Sequence, residues 1–484
     1  MALPTLRIIG FIIGIFLITL AISMLVPMLT LLVYDRSDDL HSFLAASLIT
    51  LVTGLALVLP GRPAHVHLRP RDMYFLTTVS WMAVCCFAAL PLLLIQHISY
   101  TDAFFESMSG VTATGATVLS GLDGMSPGIL IWRSLLHWLG GIGFIGMAVA
   151  ILPLLRVGGM RLFQTESSDW SEKVMPRSHM VAKYILAIYV SITLLGSLGF
   201  WGAGMSAFDA VNHAMSAIST GGFSTSDLSL AKWPQPAVHW VAVVMMILGS
   251  LPFTLYVATL RGHRLALWRD QQVRGLLGLL LVTWLGFGTW YWLHADLPWA
   301  DAIRIVAVNV TSVVTTTGFA LGDYTLWGSF SIMLFFYLGF IGGCSGSTAG
   351  GLKIFRFQVA WVLLRANMQQ LVHPRAVIKQ QYNGHPLDDE IVRSIITFSF
   401  FFTITIAVIA LGLTLTGLDW ITALTGAAST VCGVGPGMGH IIGPAGNFAS
   451  LPDAAKWMLS VGMLLGRLEI ITVLVVLTPA FWRH

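Results

Sequence analysis

Runs of 20 or more residues without Asp, Glu, Lys or Arg recur along the chain, among them 8–33, 42–61, 73–101, 134–155, 184–208, 233–260, 275–295, 324–352 and 394–418. Each of these matches the ~20 apolar residues that carry a helix across a bilayer. A further span, roughly 457–480, is interrupted by Arg467 and Glu469. With 10% charged residues against about 25% in soluble domains, the chain reads as an integral membrane protein. The first run is too long for a signal-peptide core and lacks an obvious cleavage site, so it reads as a retained helix.

Charge sorts by side. Twenty of the 26 Lys and Arg lie at Arg7, at Arg483, or around 62–71, 156–183, 261–274 and 353–393. The other connections carry Asp35, Asp38, Asp39, Asp123, Asp227, Asp296 and Asp323. The positive-inside rule then places both termini and the basic connections in the cytoplasm. The net charge of +4 is this topological signal averaged over the chain and gives no reason to expect a nucleic-acid partner.

One polar stretch, "TTTGFALGDY" at 315–324, suits neither a helix interior nor a lipid-facing strand. It has three counterparts. "DAFFESMSGVTATGAT" from Asp102, "DAVNHAMSAISTGGFST" from Asp209, "DAIRIVAVNVTSVVTTTGF" from Asp301 and "DWITALTGAASTVCGVGPG" from Asp419 each end in small or hydroxyl residues with glycine. The glycines Gly115, Gly222, Gly318 and Gly435 align. The fold class expected is therefore an all-α polytopic membrane protein. Two leading transmembrane helices (1–72) precede four helix–pore loop–helix repeats around a central pore: 73–165, 166–270, 271–385 and 386–484.

About 13 helical residues rise only ~20 Å, so each short segment must stop inside the membrane. Asp is expected to cap its start and complement the positive dipole end. Non-helical backbone at that depth is tolerated where it lines a wet cavity or is buried in protein. Four such loops around an axis form a ring of carbonyl oxygens able to replace a cation's hydration shell. The candidate ring residues are Ala113, Thr114 and Gly115; Thr220, Gly221 and Gly222; Thr316, Thr317 and Gly318; and Gly433, Val434 and Gly435. The bland alternative is a set of re-entrant loops that only pack helices, which fourfold recurrence argues against. Oxygen ligands without nearby carboxylates suit a weakly hydrated monovalent cation better than Ca²⁺ or Mg²⁺.

Other residues carry less. Cys85, Cys86, Cys344 and Cys432 form no CxxC pair and read as small buried residues. Most of the 14 histidines are expected at helix ends or in loops, in ordinary interfacial roles. "GIGFIG" (141–146) satisfies GxGxxG but lies inside a spanning helix, where small residues mean close packing rather than a nucleotide site. No nucleophile–base pair or metal motif suggests an enzyme, and no cofactor is implied.

These residues resemble the Trk/Ktr/HKT superfamily of potassium transporters, and within it the bacterial TrkH/TrkG pore subunits. The resemblance covers nearly the whole chain, including "GFIGGCSGSTAGGLK" (339–353) and "MLLGRLEIITVLVVLTP" (463–479). It implies a K⁺-selective pore in the bacterial inner membrane, a homodimer, and a cytosolic TrkA-type nucleotide-binding regulatory subunit. It also implies that a glycine in all four filters accompanies K⁺ preference over Na⁺. Repeat four departs from symmetry, since "CGVGPG" offers extra glycines and a proline.

Two features remain beneath the expected ring. Arg467 lies mid-span, where a lipid-facing charge costs at least ~2.5–3.5 kcal/mol, so it should face protein or a wet pore. On a continuous helix Glu469 points about 200° away and is not its partner. Arg467 is either half of a buried salt bridge to another helix or a positive barrier below the filter; the resemblance favours the barrier. "GGCSGSTAGG" (342–351) breaks the span starting near Gly328, either as a packing kink or as an intramembrane gate built on Gly346, Ser347, Thr348 and Gly350. The function expected is gated K⁺ uptake through a pore. A symporter coupling K⁺ to H⁺ or Na⁺ is the alternative, although Glu469 is one acid and not a relay.

Overall fold

The computed structural model describes residues 3–36, 39–61, 68–150 and 178–483. The basic connection 156–183 lies largely outside the described residues, as do 62–67 and Asp38. Among the described residues seven helices are long and apolar enough to cross a membrane. The leader is an antiparallel pair, Leu3–Ser23 with its continuation Leu25–Val33, against Leu40–Val58. Gly14 and Gly54 meet at the crossing, where a Cβ on Gly14 would lie 2.7 Å from the Gly54 carbonyl. Small residues at that point let two backbones touch.

The four short helices are Tyr100–Thr112, Ala207–Ile218, Trp299–Val314 and Trp420–Cys432. At 12–16 residues they rise only ~18–24 Å and stay re-entrant. Their starts differ from the expected aspartate caps. Ser99 and Ser206 are the caps of the first two, accepting from the backbone N–H of Asp102 and Asp209. Pro298 precedes the third helix, and Asp301 sits in its first turn. Only in repeat four is the aspartate itself the cap, Asp419 accepting from Thr422 N–H at 3.0 Å. The carboxylates still lie in or beside the first turn, where they oppose the positive dipole end.

Each short helix leads into an inner helix: Pro127–Ala150, Pro236–Ser250, Ser329–Leu338 and Asp453–Arg467. Hydropathy alone reads the second and fourth as continuous spans, and the structure breaks them; the third ends ahead of the glycine-rich stretch 342–351 that already marked a break. Pro236–Ser250 meets Phe253–Leu260 at 89°, with Pro252 at the corner. Asp453–Arg467 meets Ile471–Leu477 at 118°, through Glu469 in the left-handed region (φ 58°). Ser329–Leu338 ends after ten residues, and irregular chain runs from there to the helix Ile354–Val372.

The single described departure from all-α is a hairpin, Gln381–Tyr382 paired with His385–Pro386, turning through Asn383 (φ 49°) and Gly384 (φ 80°). Asn-Gly suits such a two-residue turn because both positions need positive φ. The Asn383 side chain accepts from Gln271 N–H and donates to Asp270, tying the hairpin to the start of Gln271–His294.

Inner and short helices pack through glycine. A Cβ on Gly140, Gly249 or Gly466 would strike the carbonyl of Val111, Ile218 or Val431 respectively, the last or next-to-last residue of the short helix. "GIGFIG" lies within an inner helix as expected, but Gly143 and Gly146 face open space and only Gly141 packs closely. Gly140→Ala is expected to lower the melting temperature in detergent, since overpacking of this kind costs about 1–3 kcal/mol. A wild-type melt would show that this approach is not a tight constraint.

Candidate functional site

Each short helix ends in the same way. Thr114, Gly221, Thr317 and Val434 send their N–H back to the carbonyls of Ser109, Ser216, Ser312 and Ser429, at 2.7–2.9 Å. The residue before each donor is left-handed: Ala113 (φ 52°), Thr220 (52°), Thr316 (55°) and Gly433 (73°). This is a Schellman ending, which satisfies the last helical carbonyls. The residue after each donor is a glycine that is again left-handed: Gly115 (87°), Gly222 (81°), Gly318 (86°) and Gly435 (96°). The register of repeat four, uncertain from its extra glycines, is that of the other three.

The four ends close into a ring. A Cβ on Gly115 would run into the Gly221 carbonyl oxygen, one on Gly222 into that of Thr317, and one on Gly318 into that of Val434. One on Gly435 would lie 2.6 Å from the Thr114 carbonyl. Each glycine thus makes room for the carbonyl of the next repeat, and the fourth returns to the first. A Cβ on Gly115 would also lie 3.7 Å from the carbonyl of Thr317, two repeats away, so the ring is narrow. Among the described residues none of these four carbonyls accepts a hydrogen bond. A cavity lined by Thr117, Ser224, Ala320 and Asn447 opens beyond it.

Below the ring lies the irregular segment 339–353. Thr348 donates its hydroxyl to the carbonyls of Ile218 and Gly249, at 2.9 and 2.8 Å, and Thr220 donates to the same hydroxyl. Gly350 N–H donates to Thr316 Oγ1 at 2.7 Å, and Gly351 N–H to the Cys432 carbonyl at 2.8 Å. The Gly346 carbonyl accepts from Phe253 N–H, and Ser347 closes the turn by donating to the Cys344 carbonyl. The segment is therefore bonded to the undersides of repeats two, three and four.

Arg467 supplies the fourth connection. It is buried and donates to the Thr348 carbonyl at 2.6 Å and toward the Gly140 carbonyl at 3.4 Å, with its guanidinium 4.2 Å from the Phe144 ring. Among the described residues no carboxylate pairs with it. Lys353 also reaches the segment, donating to the Ala349 carbonyl. Glu469 pairs with Arg356 at 3.0 Å rather than with Arg467. The expectation that it avoids Arg467 holds for a different reason, since the helix has already broken at that point.

Sequence reading passed over several buried groups. Glu106, inside the first short helix, pairs with Arg133 at 2.8 Å, both side chains 1% exposed. Removing one partner of such a pair costs about 3–5 kcal/mol. His137 and His213 are fully buried rather than interfacial; His137 stacks on Phe223 at 4.0 Å and fills the space beside Gly221. A carboxylate within a re-entrant helix was the available signal. The four cysteines are free, and Cys85, Cys344 and Cys432 are buried.

A family model described as TrkH, cation transport protein, matches residues 40–483. The chain belongs to the TrkH family. It is 52% identical over 469 residues to the Trk system potassium uptake protein TrkI of Halomonas elongata, covering 96% of this chain and 95% of that one. It is 35% identical to TrkH of Escherichia coli, covering 98% of both. The crystal structure of the potassium transporter TrkH from Vibrio parahaemolyticus matches with TM-score 0.91 and 35% identity, over 99% of this chain and 100% of that one. All four ring segments, the irregular segment and Arg467 of this TrkH family member lie within the matched residues.

Left-handed geometry is unfavourable for a residue with a Cβ by roughly 1–2 kcal/mol. Ala113 makes no side-chain hydrogen bond that would offset this, so Ala113→Gly is expected to raise the melting temperature. Thr316→Gly relieves the same strain but deletes the acceptor of Gly350 N–H. It should gain less or lose stability, and equal melts for the two variants would contradict this account.

Proposed function

We propose that the chain takes up potassium across the bacterial inner membrane through a filter made by the four carbonyl-lined ring segments. The observation that carries this reading is the closed set of four buried carbonyl oxygens, one per repeat, without a hydrogen-bond donor. Buried carbonyls need a partner, and a dehydrated monovalent cation supplies one. Ring glycines are required because any Cβ displaces the neighbouring repeat's carbonyl. Gly115→Ser, Gly222→Ser and Gly318→Ser, with the tightest contacts, should lower Rb⁺ over Na⁺ selectivity in proteoliposomes more than Gly435→Ser. Unchanged permeability ratios in all four would remove the filter assignment.

The irregular segment and Arg467 form the proposed gate. Gly346, Ser347, Thr348 and Gly350 lie across the underside of the ring, and Arg467 holds the Thr348 carbonyl. A fixed positive charge several ångströms from a K⁺ is repulsive by kilocalories where the effective dielectric is low. The glycines allow the segment to withdraw through modest dihedral changes. Arg467→Ala, or shortening Gly346–Gly350, should raise Rb⁺ flux without a regulatory partner while leaving selectivity intact. Wild-type flux with a lowered melting temperature would make Arg467 structural.

The basic connections would face the cytoplasm with both termini, and 353–393 would present Arg365, Arg375 and Lys379, all exposed, to a TrkA-type nucleotide-binding subunit. A homodimer is part of this proposal. The exposed apolar stripe Trp361, Leu364, Met368 and Leu371 offers a face for the second copy. The pore reading is favoured over K⁺ symport because Glu106 and Glu469 are each held by an arginine. Flux of K⁺, Rb⁺, Na⁺ and Li⁺ with and without a pH gradient separates the two readings.

A further inference from the structure

Three short helices carry a polar side chain that grips the chain leaving the ring at the same register. Glu106 Oε2 accepts from Val118 N–H at 2.9 Å, Asn309 Oδ1 from Leu321 N–H at 3.0 Å and Thr425 Oγ1 from Met438 N–H at 3.0 Å. Val118, Leu321 and Met438 each stand three residues beyond the ring glycine. In repeat two, His213 Nε2 meets Ser224 Oγ at 3.0 Å, two residues beyond Gly222. Of these four groups only Glu106 is a carboxylate, and Arg133 answers it.

Arg133 does more than neutralise Glu106. Its Nε donates to Glu106 Oε1 at 2.8 Å, one terminal nitrogen to the Ser224 carbonyl at 3.1 Å, and the other to Thr117 Oγ1 at 3.2 Å. Its guanidinium lies 4.0 Å from the centre of the Phe223 ring. Thr117 and Ser224 are equivalent residues, each two beyond the ring glycine of its repeat. One rigid, planar fork therefore spans the outer edges of two adjacent quarters of the ring.

We propose that Arg133 and Glu106 are positioning residues for ion selectivity, a strut that fixes the spacing between the first and second quarters of the filter. This rests on the filter reading above. Neither group reaches the ring oxygens; both act through Thr117, Val118, Phe223 and Ser224. Lysine at position 133 keeps the charge but lacks the planar fork that holds three acceptors at set angles. Thr117→Val keeps the shape and removes the hydroxyl that accepts from Arg133 and donates to Glu106.

The test measures Rb⁺ and Na⁺ flux in proteoliposomes for Arg133→Lys, Glu106→Gln and Thr117→Val, with Gly222→Ser as the reference for the filter itself. Melting and gel filtration are recorded on the same preparations. Arg133→Lys and Glu106→Gln are expected to lower the Rb⁺ over Na⁺ ratio roughly threefold or more, and Thr117→Val by less in the same direction. A role in folding alone changes yield or melting temperature and leaves the ratio of the surviving protein unchanged. If Gly222→Ser lowers the ratio and the three strut variants do not, the strut is overturned and the filter stands. If Gly222→Ser also leaves it unchanged, the filter reading fails and the strut with it. Should the two charge variants not fold, Thr117→Val decides, and a wild-type ratio there overturns the proposal.

Discussion

A backbone carbonyl buried in the middle of a membrane has to be partnered, yet among the described residues no donor reaches four of them, those of Thr114, Gly221, Thr317 and Val434. Much of the architecture keeps them there. Short helices bring four chain ends to one depth, and Schellman endings consume the N–H groups that would otherwise turn inward. Left-handed residues on either side of each carbonyl set its direction. Three of the four left-handed residues preceding the carbonyls carry a Cβ, and two are threonines, an outlier conformation for a β-branched residue. Local strain is tolerated where the surroundings over-determine it. Here the hydroxyls of Thr220 and Thr316 also bond the segment below.

That segment is held almost wholly by backbone and hydroxyl hydrogen bonds. Between Gly342 and Gly351 the side chains are small: Cys344, Ser345, Ser347, Thr348 and Ala349 are the largest. A typical hydrogen bond contributes only about 0.5–1.5 kcal/mol net, and little apolar surface is buried by the segment itself. Its position is thus specified by geometry more than by deep burial, which suits the proposed gate. Arg467 and Lys353 gather its carbonyls from beneath.

The ring and its four helices were legible because the pattern occurs four times, and repetition separates a site from packing. The corners in the second and fourth inner helices were not, because hydropathy averages over a corner: 233–260, and 457–480 despite its two charges, read as straight spans, whereas the glycines of 342–351 did mark the third break. At Glu469 the bend depends on Arg356, more than 100 residues away, a tertiary fact with no local trace. The Asn383-Gly384 hairpin did have a local signal, and it was missed in a chain read for helices. Arg133 borders the charge-free run 134–155 and Glu106 lies between two such runs, so neither interrupts one and their pairing emerged only once the helices were packed.

The four chain ends that close the ring belong to one polypeptide, and this has a consequence for what the ring can contain. A pore built from four identical subunits must repeat every side chain four times. An arginine placed as Arg467 is would then face three copies of itself, and their mutual repulsion at low dielectric would be severe. Here the chain carries one Arg467, one segment crossing beneath the ring and one Glu106–Arg133 pair, each in a different quarter. Fourfold repetition within a single chain leaves the backbone geometry shared and each side chain free to differ. The polar grips of the four quarters, Glu106, His213, Asn309 and Thr425, use that freedom.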